Sequence, residues 1–147
     1  MKVKIIAVGK NKHSYIEEGI KFYSKQLNDI NIIEVADEKQ SDGMKKEADR
    51  IIEQIGLDEY VVLLAIDGQQ LSSESFAEKL NHIQTYESSK ITFVIGGSYG
   101  VTNDVIKRAN YKLSFSKMTF PHLLMRLILI EQIYRAKMIL QNHPYHK

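Results

Sequence analysis

Apolar positions recur along the chain at two spacings, and the change between them predicts an alternation of strands and helices. Five short runs have the length and composition of strands: Lys2–Val8, Ile30–Val35, Tyr60–Ile66, Ile91–Ile95 and Tyr111–Ser114. Five further segments are predicted helices: His13–Leu27, Met44–Ile55, Ser72–Tyr86, Asn103–Arg108 and His122–Leu140. This unbroken alternation predicts one α/β domain over residues 1–147, built on a mostly parallel sheet flanked by helices.

The same pattern sets expectations for the loops. Asp67-Gly68 is predicted to turn the chain after the third strand, and Ser14 is the predicted N-cap of the first helix. Open parallel sheets bind ligands at the carboxyl ends of their strands. Binding and catalytic residues are therefore expected in the loops after Ile66, Ile95 and Ser114.

Composition excludes several classes of protein. The chain contains no cysteine, which excludes disulfides, thiolate metal sites and a cysteine nucleophile and suits a reducing cytoplasm. Met1–Lys12 lacks the apolar core of a secretory signal, and charged residues interrupt Leu123–Leu140, so neither a leader nor a membrane span is expected. No pair of histidines has the helical spacing of a zinc site with a third ligand in view, so no metal is expected.

Charge is distributed unevenly on a chain whose formal net charge is only +2. Residues Glu34–Glu59 contain nine acidic and four basic residues, whereas Ile91–Lys147 contains eight basic and two acidic residues. A localised basic region favours an anionic partner such as nucleic acid. A solvated helix face explains the same pattern, so charge alone leaves both explanations open.

Gly96-Gly97-Ser98-Tyr99-Gly100 follows a predicted strand and is the first candidate binding element. Glycines let a backbone approach a ligand closely and expose its N–H groups. The spacing matches neither the G-x-G-x-x-G fingerprint nor a P-loop, which favours a nucleoside-type ligand over a dinucleotide or a triphosphate. The alternative is a turn that only permits tight packing.

Ser114–His122, with the sequence SFSKMTFPH, is the second candidate element. It has no clear period, and it combines two phenylalanines with hydroxyl groups and a lysine directly before a predicted helix. Such a loop can stack on a planar ring while it hydrogen-bonds the ring's edge. The alternative is an irregular core connection in which the phenylalanines only fill space.

The final predicted helix is apolar over more of its circumference than the stripe of about 100° that a surface helix needs. The surplus favours a subunit interface, with a buried helix and snorkelling arginines at Arg126 and Arg135 as the alternative. After this helix, the terminal residues His143–His146 place histidine and tyrosine side chains where they can carry protons or stack on a base.

Three motifs in order support a resemblance that covers essentially the whole chain. They are Val94–Gly100 (VIGGSYG), Leu113–His122 (LSFSKMTFPH) and Asn142–Lys147 (NHPYHK). Together they resemble the bacterial ribosomal RNA large-subunit methyltransferase H family, which belongs to the SPOUT class of knotted methyltransferases. The resemblance implies an α/β fold whose C-terminal segment threads a trefoil knot, a rare exception to unknotted topology.

The resemblance also implies a reaction and a set of site residues. The methyl donor would be S-adenosylmethionine, and the acceptor would be the ring nitrogen N3 of a pseudouridine in helix 69 of 23S ribosomal RNA, within assembled ribosomes of the cytoplasm. The implied enzyme is a homodimer with the tail of one subunit near the cofactor of the other. Its cofactor contacts fall on Leu64, Gly96, Phe115, Ser116, Lys117, Met118, Thr119 and Phe120.

The acceptor nitrogen must lose a proton, and the candidate residues for this chemistry are His122, Tyr145 and His146. Arg126, which we group with the catalytic residues, is expected to hold RNA phosphate together with Arg135 and Lys117. Three other functions remain open: a nucleotide-binding module without transferase activity, a flavodoxin-like hydrolase, and a structural ribosome-associated dimer. The absence of a G-x-S-x-G nucleophile elbow argues against the hydrolase.

Overall fold

The computed structural model describes residues 1–147, with the exception of the side chain of Ser41. Its five strands are β1 (Lys2–Val8), β2 (Ile30–Val35), β3 (Tyr60–Gln70), β4 (Lys90–Ile95) and β5 (Tyr111–Ser114). They form one sheet in the order β2-β1-β4-β3-β5, and every neighbouring pair is parallel. The prediction of a mostly parallel α/β sheet is confirmed.

Helices cover both faces of this sheet. They are α1 (Ser14–Ser24), α2 (Met44–Glu53), α3 (Ser73–His82), α4 (Asn103–Arg108) and α5 (His122–Leu140). Side chains of α1, α3 and α5 pack on one face of the sheet, and those of α2 and α4 pack on the other. A short 3-10 turn at Ser41–Gly43 precedes α2, and a π-helical turn at Ile83–Glu87 follows α3.

The two-sided cover explains why the central strands are apolar at successive positions. In β1, Ile5 and Ala7 face the larger core beneath α3 and α5, while Ile6 and Val8 face the smaller core beneath α2 and α4. All four of these residues are fully buried. Burial of both faces, which is usual for parallel strands, replaces the alternation of apolar and polar residues that a one-sided sheet shows.

The prediction of a turn at Asp67-Gly68 is wrong, because β3 continues to Gln70. The extended part of β3 pairs again with β5 after a shift of register between Leu64 and Gln69. At Gly68 the two strands come so close that an added Cβ would lie 2.8 Å from the carbonyl of Lys112. Glycine at this position permits the close backbone approach.

Two predicted helix starts have different outcomes. The N-cap of α1 is His13 rather than Ser14, and it makes no side-chain capping hydrogen bond. At α3 the cap is Ser72, whose hydroxyl oxygen accepts a hydrogen bond from the Ser75 N–H at 3.0 Å. None of the helices in the described part of the chain is long and apolar enough to cross a lipid bilayer.

Candidate functional site

A cleft of about 430 Å³ lies at the carboxyl ends of β3, β4 and β5. Three chain segments enclose it: the end of β3, the glycine turn Gly96–Gly100 and the segment Ser114–Phe120. We call this cleft the slot. Its volume lies within the range of small-molecule binding sites, and its position is the one that open parallel sheets use for ligands. The loops expected after Ile95 and Ser114 therefore meet at one place, and residues 63–67 of β3 take the position of the loop expected after Ile66.

The glycine turn forms one wall of the slot. The N–H of Gly100 donates to the carbonyl of Gly97 at 3.0 Å, and Gly100 adopts a φ of +84°, a conformation that favours glycine. A Cβ on Gly96 would lie 2.8 Å from the Cγ1 of Val101. The turn is therefore too tightly folded for a side chain at Gly96.

The segment after β5 forms the opposite wall. The Ser116 hydroxyl accepts a hydrogen bond from the Met118 N–H at 2.9 Å, and the Ser114 hydroxyl donates to the carbonyl of Ser116 at 3.1 Å. These bonds fold the irregular segment into a defined loop. Seven of the residues singled out from the sequence line the slot: Leu64, Gly96, Phe115, Ser116, Met118, Thr119 and Phe120. Lys117 is exposed and is not part of the lining.

His122, in the first turn of α5, also lines the slot. Its side chain is half-buried, and burial is the main cause that lowers its pKa below the usual 6.5. The nearby charge of Arg126 lowers the pKa further, while the carboxylates of Asp37 and Glu47 act in the opposite direction. Because the lowering effects prevail, the imidazole is neutral near pH 7 and has a free nitrogen to accept a proton.

Arg126 lies in the core and not at the RNA-accessible surface, because only 1% of the residue is exposed. Its Nη1 pairs with Glu34 Oε2 at 2.5 Å, and its Nη2 donates to the carbonyls of Val8 and Gly9 at 3.1 and 2.6 Å. The expectation that Arg126 holds RNA phosphate is wrong for this conformation. The guanidinium instead ties α5 to the carboxyl ends of β1 and β2.

Tyr145 and His146 lie away from the slot of their own chain. The Tyr145 hydroxyl donates to Glu131 Oε1 at 3.1 Å, and His146 Nδ1 lies 3.0 Å from Arg135 Nη1. Arg135 itself donates twice to Glu131 and stacks over the Tyr145 ring at 4.9 Å. The tail is therefore fastened to α5 by a compact polar network, which also occupies Arg135.

The hydrogen bond with Tyr23 is the largest cause that raises the pKa of Tyr145 above its usual value, and burial and Glu131 raise it further. A phenol with a raised pKa keeps its proton near neutral pH. Tyr145 is therefore a poor proton acceptor in this arrangement, in contrast to the neutral imidazole of His122.

Val101 and Met125 are among the lining residues that were not singled out from the sequence. Val101 follows the glycine turn, and Met125 lies three residues after His122 on α5. The spacing of Met125 places it on the same helix face as His122, which is a signal that the sequence contained. Among the side chains that the structure describes, no three metal-ligating carboxylate, histidine or cysteine groups come together to hold a metal ion.

The geometry as a whole is suited to a planar, largely apolar ligand beside a proton acceptor. Phe115, Phe120 and Leu64 provide apolar surface, the glycine turn provides backbone polar groups, and His122 provides a neutral imidazole.

Comparisons with known proteins show the family to which the chain is similar. The family described as "Predicted SPOUT methyltransferase" matches residues 1–146. Proteins named ribosomal RNA large subunit methyltransferase H are similar over the full length of both chains, with 52% identity in Acholeplasma laidlawii and 49% in an Exiguobacterium species. The relative of the same name in Bacillus cytotoxicus is 48% identical, again over the full length of both chains.

A solved structure shares the fold. It is that of a probable methylase family protein from Haemophilus influenzae, with a TM-score of 0.58 and 16% sequence identity. The similarity covers 99% of the present chain and 70% of the other chain. At this identity the comparison supports the architecture alone.

Proposed function

The chain belongs to the SPOUT methyltransferase family, and from that premise we propose that it methylates ribosomal RNA of the large subunit in the slot. The finer proposal is transfer of a methyl group from S-adenosylmethionine to N3 of a pseudouridine in helix 69 of 23S ribosomal RNA. The observation that carries the proposal is the meeting of the glycine turn and the Phe115–Phe120 segment around one cleft.

The residues of the slot fit an adenosine group. Phe115, Phe120 and Leu64 offer apolar surface to the purine, and the backbone of Gly96 and its neighbours offers hydrogen-bonding groups to its edge. The bend of the loop through Ser116, Met118 and Thr119 holds these groups in place. Lys117 extends outward and is proposed to contact the RNA rather than the donor.

S-adenosylmethionine, when bound, supplies a methyl group made electrophilic by a sulfonium centre. The protein's part is to align the acceptor nitrogen, exclude water and receive the proton that the nitrogen loses as its new bond to carbon forms. His122 is the proposed proton acceptor because it lines the slot and its pKa is lowered. The imidazolium that forms faces the carboxylates of Asp37 and Glu47, which stabilise its charge.

The active enzyme is proposed to be a homodimer in which the tail of one subunit completes the slot of the other. This proposal gives Tyr145 and His146 a role that the slot of their own chain does not offer. It is supported by the half-exposed leucine and isoleucine side chains on the outer surface of α5, such as Leu124 and Ile128. A trefoil knot threaded by the C-terminal segment belongs to the same proposal.

Ribosomes as substrate place the enzyme in the cytoplasm, which suits a chain without cysteine. Small-molecule recognition without transfer is the competing function, and it predicts donor binding with no methyl incorporation. The deciding experiment incubates the purified protein and S-adenosylmethionine labelled in its methyl group with ribosomes from a strain that lacks the native enzyme. Label in helix 69 of 23S RNA is expected, and RNA without label would contradict the proposal.

A further inference from the structure

The loop Gly9–His13 leaves β1 at the edge of the sheet where the slot lies. Ala7 pairs with Ile95 in the parallel register of β1 and β4, so this loop and the glycine turn leave adjacent strands side by side. A Cβ on Gly9 would lie 3.7 Å from Nε2 of His122, which lines the slot. The loop therefore borders the entrance of the slot.

Side chains beneath the loop hold its conformation. Gly9 has a φ of +94°, and its carbonyl accepts a hydrogen bond from Arg126 at 2.6 Å. The N–H of Asn11 donates to Glu34 Oε2 at 2.7 Å, and the Asn11 side-chain oxygen accepts from the His13 N–H at 3.1 Å. A loop fixed in this way presents its other side chains at defined positions.

Two of those side chains are cations that the protein does not neutralise. Lys10 and Lys12 are exposed, and neither pairs with a carboxylate among the side chains that the structure describes. The Glu34 carboxylate, which contacts this loop, is already engaged by Arg126 and by the Asn11 N–H. The segment Lys10–Tyr15 contains no acidic residue.

The same segment exposes two rings. The ring centroids of His13 and Tyr15 lie 5.4 Å apart with 33° between their planes, and 63% of Tyr15 is exposed. An exposed aromatic ring beside cations is the combination that binds single-stranded nucleic acid, because the lysines hold phosphates while a base stacks on the ring. Neither group is needed by the core.

We propose that Lys10–Tyr15, which comprises most of this loop and the first two residues of α1 and which we call the entrance loop, binds the RNA strand that carries the acceptor nucleotide. Lys10 and Lys12 contact phosphates next to that nucleotide, and Tyr15 stacks on an unpaired neighbouring base. Phosphate contacts position a strand without reading its sequence, so the loop sets the register of the RNA over the slot. The inference rests on the proposed function, because it requires an RNA acceptor.

The first test replaces both lysines in the full chain, as Lys10→Gln with Lys12→Gln. We expect KM for undermethylated ribosomes to rise on the order of tenfold at about 0.1 M salt, and the salt dependence of log KM to flatten by about one unit of slope for each lysine. The kcat and the Kd for S-adenosylmethionine should stay within about twofold. The control, Lys2→Gln with Lys25→Gln, removes two exposed lysines at the opposite edge and should behave as the wild type.

The second test separates stacking from charge. Tyr15→Ala should weaken binding of a labelled single-stranded RNA of about twelve nucleotides by roughly tenfold, and Tyr15→Phe should restore it. Tyr86 provides a matched control, because it is 75% exposed and lies 5.0 Å from the ring of His82. Tyr86→Ala should leave RNA binding unchanged.

The outcomes distinguish this inference from the proposed function. Absence of methyl transfer by the wild type would contradict the proposed function, while the RNA-binding assay would still test the entrance loop. Normal transfer with unchanged KM and salt slope in the lysine variant would overturn the inference. The inference would also be overturned if the lysine and Tyr15 variants bound anionic vesicles or polyglutamate more weakly but kept their affinity for RNA.

Discussion

The guanidinium of Arg126 and the carboxylate of Glu34 form an ion pair, with Nη1 and Oε2 2.5 Å apart, between residues separated by 92 positions in the sequence. The arginine is almost completely buried, whereas the Glu34 side chain is 37% exposed. Arg126 also satisfies the carbonyls of Val8 and Gly9. One side chain of α5 thus fixes the carboxyl ends of β1 and β2.

This arrangement makes Arg126 a determinant of stability. Arg126→Ala should lower the free energy of unfolding by about 3–5 kcal/mol, because it removes the donor to two buried carbonyls and the partner of Glu34. Glu34→Gln should also destabilise the fold, because it leaves the buried guanidinium of Arg126 without a counter-charge. Urea unfolding followed by circular dichroism measures both changes. A loss below about 1 kcal/mol for Arg126→Ala would contradict the structural role.

His122 should give the methyl transfer rate a dependence on pH. The pKa of this imidazole lies below 6.5, mainly through burial and then through Arg126, so the reactive neutral form dominates at pH 7 and is lost as the pH falls. We expect kcat to be level above about pH 7 and to decline on the acidic side of pH 6.5. Single-turnover rates between pH 5 and pH 8 measure this profile.

Replacement of the imidazole checks the assignment. His122→Asn should lower kcat by about 10²–10⁴-fold and flatten the acidic limb, while the affinity for S-adenosylmethionine changes little. His82→Asn, which replaces an exposed histidine on α3, is the control and should keep the wild-type profile. An unchanged acidic limb in His122→Asn would assign proton transfer to another group.

Gly96 should be required for donor binding. Gly96→Val places atoms 2.8 Å from Val101 Cγ1 and 3.3 Å from the carbonyl oxygen of Gly100, so the turn must open and its wall of the slot must move. We expect the affinity for S-adenosylmethionine to fall at least about tenfold, as measured by calorimetry. Gly100→Ala is the milder comparison, since an added Cβ there meets nothing within 4 Å and only the positive φ opposes it.

The affinity of Gly96→Val for S-adenosylmethionine tests where the donor binds. Full retention of affinity in Gly96→Val, with the variant folded, would place the donor elsewhere on the protein. We expect Gly96→Val to lose more affinity for S-adenosylmethionine than Gly100→Ala, because an added side chain meets close contacts at Gly96 and none at Gly100.

The tail should separate donor binding from methyl transfer. Deletion of Tyr145–Lys147 removes the side chains that bind Glu131 and Arg135, and none of these three residues lines the slot of their own chain. We expect donor affinity to stay within about twofold and transfer to ribosomes to fall at least about tenfold if the tail completes a partner's slot. Sedimentation should give roughly twice 16.9 kDa for the wild type. Unchanged turnover in the deletion variant would show that the tail takes no part in catalysis.

The spacing of apolar residues along the sequence predicted the strands and helices of this fold well. The runs Ile30–Val35 and Tyr111–Ser114 were predicted with the bounds that the structure gives them. The extension of β3 beyond Ile66 was missed. Asp67 and Gly68 have the composition of a turn, and only the distant β5 makes them part of a strand.

Part of the candidate site was also predictable from the sequence. Gly96 and Phe115 lie at strand ends, where the sheet topology alone brings them together. The burial of Arg126 and the outward position of Lys117 were not predictable. The first depends on the rotation of α5 against α1 and α3, and the second depends on a loop without any period that would indicate a face.

Gly68 should be the most sensitive glycine for the pairing of β3 with β5. A Cβ there would lie 2.8–2.9 Å from backbone atoms of Lys112 and Leu113, which cannot turn aside as a side chain can. Gly68→Ala should therefore lower the free energy of unfolding by about 1–3 kcal/mol, as expected for overpacking against backbone. Gln69→Ala, at an exposed neighbouring position, is the control and should change stability by less than about 0.5 kcal/mol. Because β3 and β5 carry two walls of the slot, a destabilised Gly68→Ala should also bind S-adenosylmethionine more weakly at temperatures where it remains folded. A variant as stable as the wild type would show that the two strands can separate at this point without loss.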